Sequence, residues 1–191
     1  MDKPLIVNLF GGPGAGKSTT ATGVFSLLKL HGVNAEYVPE FAKDLTWEER
    51  AKTLQNQIYL FGKQYHRSWR LFDQVDVIIT DAPFILGLVY GIFDLSMVQV
   101  MMGRFEECNN LNFFLRRVKK YEPKGRNQTF DEAKLLDGKI YAMLTAHGIE
   151  HTEAEGNHTA INMIASYILR KFEKGLKYEI TPLMNPEVHE I

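Results

Sequence analysis

The sequence predicts an α/β domain built on a mainly parallel sheet. Short apolar runs of strand length recur along the chain, and each leads into a segment with helical spacing or a glycine or proline break. The first run, Leu5 to Phe10, is apolar almost throughout instead of alternating, as expected of a strand covered on both faces. With 191 residues, 45% hydrophobic and 24% charged, the chain is long enough for one compact core and has the composition of a globular protein.

The elements follow in order. After Leu5 to Phe10 comes a glycine-rich turn, then a helix from Lys17 to Leu30 with Val24, Leu27 and Leu28 on its apolar face and His31-Gly32 as its stop. Asn34 to Pro39 is the second strand and ends at Glu40. Thr46, with Glu49 three residues later, reads as the capping box of a helix reaching about Phe72, with or without a break, whose Tyr59, Phe61, Tyr65, Trp69 and Phe72 are expected in the core. Val75 to Thr80 is the clearest strand; it stops at Asp81-Ala82-Pro83. Two helical stretches are expected near Phe84 to Tyr90 and Leu95 to Cys108, and a fourth strand at Leu111 to Leu115. Arg116 to Thr129 is polar and cationic, holds Pro123 and Gly125, and reads as a loop. Phe130 to His147 is helical, with Asp131 and Glu132 in the first turn where the helix dipole favours anions. Ile149 to Thr152 is a weak fifth strand and Asn157 to Lys174 a last helix. No linker divides the chain, so a domain over 1–175 is expected, followed by a tail at 176–191 that is either a strand-like arm or loose.

Composition narrows the function classes. The formal net charge of −1 provides no global basic field, which disfavours nucleic acid as the main partner. Cys108 is the only cysteine; a multi-cysteine zinc site is excluded, and a buried structural thiol is expected. No segment approaches the roughly 20 apolar residues that span a bilayer, and the N-terminus lacks a signal-peptide pattern, so a soluble protein of a reducing, cytoplasmic compartment is expected. The sequence leaves the oligomeric state open.

The chemistry concentrates at Gly11-Gly12-Pro13-Gly14-Ala15-Gly16-Lys17-Ser18, which fits G-x-x-x-x-G-K-[ST] between a strand and a helix. Backbone N–H groups from Gly12 to Gly16, through Pro13's neighbours Gly14 and Ala15, can cradle phosphates, aided by the positive end of the following helix. Lys17 should reach the β- and γ-phosphates, Ser18 should bind Mg²⁺, and Thr19 offers a hydroxyl near the α-phosphate. Asp81, at the carboxyl end of its strand, is placed to hold Mg²⁺ directly or through water. Glu40 ends the second strand on the same side of the sheet and could accept a proton or hydrogen-bond a sugar, with Lys43 and Asp44 as nearby alternatives. The loop holding Arg116, Arg117, Lys119, Lys120, Lys124 and Arg126 suits a lid that closes over the phosphates; Arg116, Arg117 and Arg126 are the candidates for stabilising the transferred group.

The P-loop, the segment Tyr37-Val38-Pro39-Glu40-Phe41-Ala42-Lys43, the Gln57 to Tyr65 helix with Gln64, and the strand end Thr80-Asp81 follow one another in an order that resembles the nicotinamide riboside kinase domain of the bacterial NAD-regulator protein. They also resemble P-loop ATPase/kinase proteins of tailed bacteriophages, whose lid is similar to Leu115 through Thr129. The likeness covers about residues 4–174. It implies a three-layer P-loop NTPase fold of the nucleoside/nucleotide-kinase type with a five-stranded parallel sheet and a lid over about 116–129, an ATP–Mg²⁺ site, and Glu40 or a neighbour on the acceptor side. It also implies host cytoplasm as the location if the chain is phage-encoded. One departure is Thr80, where the riboside kinases carry an acidic residue. The expected activity is transfer of the γ-phosphoryl group of ATP to a small acceptor, nicotinamide riboside or another nucleoside. Nucleoside monophosphates are the alternative, with Arg50, Arg67 and Arg70 as candidate phosphate binders. A partner-stimulated ATPase or switch is the alternative of another class. No base-reading motif separates ATP from GTP.

Overall fold

The computed structural model describes residues 3–122, 124 and 128–174. The tail at 176–191, Arg126 and part of the expected lid lie outside the described residues.

Strand β1 (Leu5–Phe10) forms where the sequence places it, and all six residues are buried. Its side chains alternate between two apolar layers. Leu5, Val7 and Leu9 join one core cluster, while Ile6 and Phe10 enter clusters on the opposite face. The one polar residue in the run, Asn8, donates to Asn110 Oδ1 and Asn112 Oδ1, both at 2.9 Å, so its burial leaves the amide N–H group satisfied. Helix α1 (Lys17–Leu30) follows, then β2 (Ala35–Val38), α2 (Phe41–Trp47), the single turn α3 (Ala51–Leu54) and α4 (Gln57–Trp69). Strand β3 (Val77–Thr80) leads through a 3₁₀ turn at Phe84–Leu86 into the short α5 (Gly87–Tyr90) and then α6 (Leu95–Glu106). Last come β4 (Asn109–Arg116), α7 (Phe130–Ala146), β5 (Thr152–Glu155) and α8 (His158–Lys171).

The five strands are parallel in the order β2-β3-β1-β4-β5. Helices α1 and α8 cover one face through Val24, Leu28, Ile161, Ile164 and Ile168. The other face is covered by α4, α6 and α7 through Phe61, Met101, Phe105, Ile140 and Leu144. The result is the three-layer α/β fold with a five-stranded parallel sheet. Register fixes what meets at the carboxyl edge: Asn8 and Val38 both stand opposite Thr80. The residues just beyond, the glycine-rich loop, Glu40 and Asp81, therefore emerge side by side.

Three expectations need correction. Thr46 does not cap a helix; it lies within α2, where its hydroxyl donates to Ala42 O (3.1 Å), and Glu49 is left-handed at φ 56°. The helix starts earlier because Gln64 Oε1 accepts from Phe41 N (2.9 Å) and captures an otherwise unpaired first-turn donor. A second box of the same spacing, Thr129 and Glu132, does form and starts α7. The long helix takes the broken form of the two expected, as α3 and α4, with Asn56 capping the latter through Tyr59 N. Of its aromatics, Phe61 is buried and packs with Tyr65 and Phe84, whereas Tyr59 and Trp69 are exposed, Trp69 stacking on His66. The fifth strand is Thr152–Glu155, not Ile149 to Thr152. Ile149 belongs to the end of α7: its N–H bonds Leu144 O (2.9 Å) after the left-handed Gly148, and its side chain packs on the second core layer.

Cys108 is half-buried; its thiol donates to Arg104 O at 3.2 Å and burial pushes its pKa up to about 11.

Candidate active site

The loop between β1 and α1 is shaped by backbone bonds, Ala15 N to Gly12 O (3.2 Å) and Thr20 N to Gly16 O (2.9 Å). Gly16 caps α1 with φ 99°, a conformation only glycine adopts without strain, and a Cβ there would fall 2.7 Å from Gly156 O, in the turn after β5. The cradle is thus pressed against a neighbouring strand end. Lys17 curls back across it, donating to Gly11 O (2.7 Å) and Gly12 O (3.0 Å). Burial draws the Lys17 ammonium below its ordinary pKa, against the raising fields of Glu40, Asp81 and Asp137; Arg117 adds to the lowering.

Asp81 is 2% exposed, and its Oδ1 is buried with no hydrogen-bond partner among the described residues. The turn that holds it is tied by Ala82 N donating to Thr80 Oγ1 (3.2 Å), which gives the Thr80 departure a structural task. On β2, the Tyr37 hydroxyl interacts with both the Asp81 carboxylate and the Ser18 hydroxyl. Burial, then the Asp81 charge, raises the Tyr37 pKa, so the phenol stays protonated and can act as a donor. A buried, orphaned carboxylate oxygen beside a serine hydroxyl is the donor set a hard divalent cation takes, so these residues fit Mg²⁺.

Glu40 precedes α2, its backbone extended (φ −64°, ψ 120°). Burial is the main cause that raises its pKa; Lys17 and Lys43 oppose the rise, and Asp81 and Asp44 add to it. The turn carrying Glu40 is clamped from α4. Gln64 bonds Phe41 N and Pro39 O, while Arg67 donates to Pro39 O (3.1 Å) and Asp44 Oδ2 (2.6 Å) and lies over the Phe41 ring.

One cavity of about 440 Å³ joins these parts. Pro13, Gly14, Gly16, Lys17, Ser18 and Thr19 line one end. Glu40, Lys43, Gln57 and the rings of Phe41, Trp47, Phe61, Phe84 and Tyr90 line the other, and Lys124 and Gln128 close over it. The structure therefore brings together the loop, Lys17, Ser18, Thr19 and Glu40, with Asp81 buried beneath. It does not bring in every expected cation. Arg116 is 59% exposed and faces Glu153 (3.6 Å) and Glu155 (4.0 Å) on β5. Arg117 lies against the outside of the loop, held by Asp137 and Pro13 O. Arg50, paired with Glu48, and Arg67 and Arg70 do not line the cavity.

Sequence reasoning singled out neither Asp137 nor the Tyr37 hydroxyl, nor the pocket rings of Trp47 and Tyr90. Tyr37 had a local signal, being a polar-tipped residue next to the strand end that carries Glu40. Asp137 had none, because it sits mid-helix more than a hundred residues from the loop it touches.

Among solved structures, the chain is similar to a deoxyadenosine kinase from M. mycoides, solved with the products dCMP and dCDP bound; TM-score 0.52, 14% identity, covering 88% of this chain and 98% of that one. It is also similar to a shikimate kinase from Aquifex aeolicus, with TM-score 0.50, 14% identity, and coverage of 88% and 96%. At these identities the likeness is one of fold. No curated protein matches the sequence. The family model described as "AAA domain" matches residues 6–160, a stretch that runs from β1 through the phosphate loop into α8, and the chain belongs to that family.

Proposed function

We propose that the protein is a P-loop phosphotransferase that moves the γ-phosphoryl group of ATP to a hydroxyl of a small nucleoside-like acceptor, nicotinamide riboside or another nucleoside. The observation that carries this reading is the single cavity with the phosphate cradle and Lys17 at one end and a carboxylate among aromatic rings at the other. Aromatic rings in the cavity wall suit a flat heterocycle, and a carboxylate whose pKa is raised by burial suits proton acceptance from a hydroxyl. The similar fold of the deoxyadenosine kinase supports the same substrate class.

In this reading residues 1–175 form the catalytic domain. The N–H groups around Gly14 and Gly16 hold the triphosphate, and Lys17 swings from the loop carbonyls to the phosphate oxygens. Ser18 and Asp81 would hold Mg²⁺, which supplies charge neutralisation at the phosphates. The Tyr37 phenol orients both of them. Glu40 takes the proton of the acceptor hydroxyl as the oxygen forms its bond to phosphorus and the bond to the departing diphosphate breaks. Lid cations shield the transferred group; among those described, Lys124 lines the cavity, and Arg126 follows it closely in sequence. Excluding water matters as much as attracting substrate, because most of the catalysis is positioning in a dry site.

A phosphate-bearing acceptor is the second reading, and Lys43 in the cavity wall is the observation that favours it. The two separate when nucleosides and nucleoside monophosphates are offered with γ-labelled ATP: label on nucleosides supports the first, label on monophosphates alone the second. ATP hydrolysis stimulated only by a protein or nucleic acid, without transfer, would sink both.

A further inference from the structure

The lid root raises a question the phosphate chemistry does not answer: why an arginine and an aspartate from different elements are buried together on the outside of the loop. Asp137 of α7 and Arg117, just after β4, have side chains only 21% and 9% exposed. Asp137 Oδ1 accepts from Gly12 N at 2.6 Å, and Oδ2 accepts from Arg117 Nη2 (2.9 Å) and Nε (3.2 Å). Arg117 Nη1 donates to Pro13 O at 2.7 Å. The fit is close on both sides. A Cβ on Gly12 would lie 2.6 Å from Asp137 Oδ1, and one on Gly14 would lie 2.9 Å from Arg117 Nη1. The guanidinium also faces the rings of Tyr121 and Phe130, at 5.7 and 6.0 Å.

We infer that Asp137 is a positioning residue of the phosphate site, holding the first half of the P-loop in its cradle shape through the Gly12 N–H and the Arg117 guanidinium. A glycine-rich loop has many conformations of similar energy, and fixing one of them before the nucleotide arrives removes that ordering cost from binding. The clamp bonds only the Gly12 N–H and the Pro13 carbonyl and takes neither the Gly14 nor the Gly16 N–H group. Charge-assisted bonds at both carboxylate oxygens make it a strong one. It also ties α7 and the end of β4 to the loop. This inference rests on the loop being the nucleotide site and is independent of which acceptor is used.

The clamp's charge and its geometry have opposite consequences, which makes the test two-sided. Asp137 and Arg117 act on Lys17 with opposite signs. Removing the carboxylate's charge leaves Arg117 uncompensated beside the phosphate site, and charge alone would tighten ATP binding. Loss of the loop's shape would weaken it. The experiment is calorimetric titration of the full chain with Mg·ATP, without acceptor, for Asp137→Asn, Arg117→Met and the double variant, each at a temperature where melting curves show it folded. The expected result is a Kd raised about tenfold by either single change, the scale of one charge-assisted hydrogen bond, with the double variant no weaker than the worse single. An ion pair that only stabilises the fold would lower the melting temperatures and leave Kd unchanged in the folded variants; that result, tighter binding in Asp137→Asn, or fully additive losses would overturn the inference. Should Asp137→Asn not fold, Arg117→Lys, which keeps the charge but loses the fork, takes its place with the same expectation. Because the readout is binding, the outcome stands even if no acceptor is ever phosphorylated.

Discussion

The two ends of the cavity are built in opposite ways. The phosphate end comes from one continuous stretch, β1, the loop and α1, and its working groups are mostly backbone N–H donors whose directions follow from glycines and a helix start. The proposed acceptor end is assembled from α2, α4, the turn after β3 and α5, and its groups are side chains: Glu40, Gln57 and five rings. Backbone sites recur wherever the loop recurs, whatever the protein does. Side-chain sites carry the particular substrate. The difference teaches where the molecule's generality ends: in the proposed reading the cradle defines the donor chemistry, and the rings around Glu40 choose the acceptor.

Substitutions at the two ends should therefore fail differently. The largest effect is expected at Lys17→Ala, which removes the charge reaching the transferred phosphate and should lower kcat by roughly 100-fold or more while the melting temperature stays near wild type. Steady-state rates and thermal melts check both halves. Asp81→Asn keeps the turn but loses the cation's carboxylate; a loss of similar order is expected, with the Mg²⁺ concentration for half-maximal rate shifted upward, read from a Mg²⁺ titration. Glu40→Gln should reduce kcat by about 100-fold with a much smaller change in Kd for ATP, which reads only the loss of its field on Lys17.

The pH dependence sharpens the role of Glu40. Burial holds its proton at pH values where an exposed carboxylate would have lost it, so the acid limb of kcat/KM should fall at higher pH than an ordinary glutamate gives, as the base becomes protonated. Lys17, Lys43, Asp44 and Asp81 are the charged groups around it. Glu40→Gln should erase that limb; an acid limb that persists unchanged would assign it elsewhere. Smaller effects belong to the pocket walls. Trp47→Ala should raise the acceptor KM about tenfold with little change in the KM for ATP. Arg70→Ala, outside the cavity, should change neither constant beyond error, and a selective loss on monophosphate acceptors would revive the phosphate-binding role for that helix.

The same contrast explains how much could be read from the sequence. The first strand, loop and helix have the expected bounds to the residue, because a buried apolar run, a glycine code and a helix stop are all local signals. Asp81 and Glu40 were reachable because parallel register brings strand ends together. Beyond that, competing local signals misled. Thr46 and Glu49 have the same spacing as Thr129 and Glu132, yet only the second pair caps a helix, since a glutamine from α4 fixes the start of α2 upstream of Thr46. Ile149 looked like strand because it is apolar, when its apolarity serves the end of α7. The basic segment at 116–129 read as a lid with Arg116, Arg117 and Arg126 as the candidates for the phosphates. The structure divides the described cations by partner, Arg116 with β5 glutamates, Arg117 with Asp137, and Lys124 at the cavity. Such partners are chosen by tertiary contacts that no spacing announces.

The central claim is that one cavity carries phosphate from a P-loop to a nucleoside hydroxyl beside Glu40. The direct measurement is a panel of nucleosides, nicotinamide riboside and nucleoside monophosphates incubated with γ-labelled ATP, Mg²⁺ and either wild type or Glu40→Gln. The account expects label on a nucleoside hydroxyl with wild type and roughly 100-fold less with Glu40→Gln. Transfer undiminished by Glu40→Gln, or phosphate released only as inorganic phosphate whatever the acceptor, would contradict it.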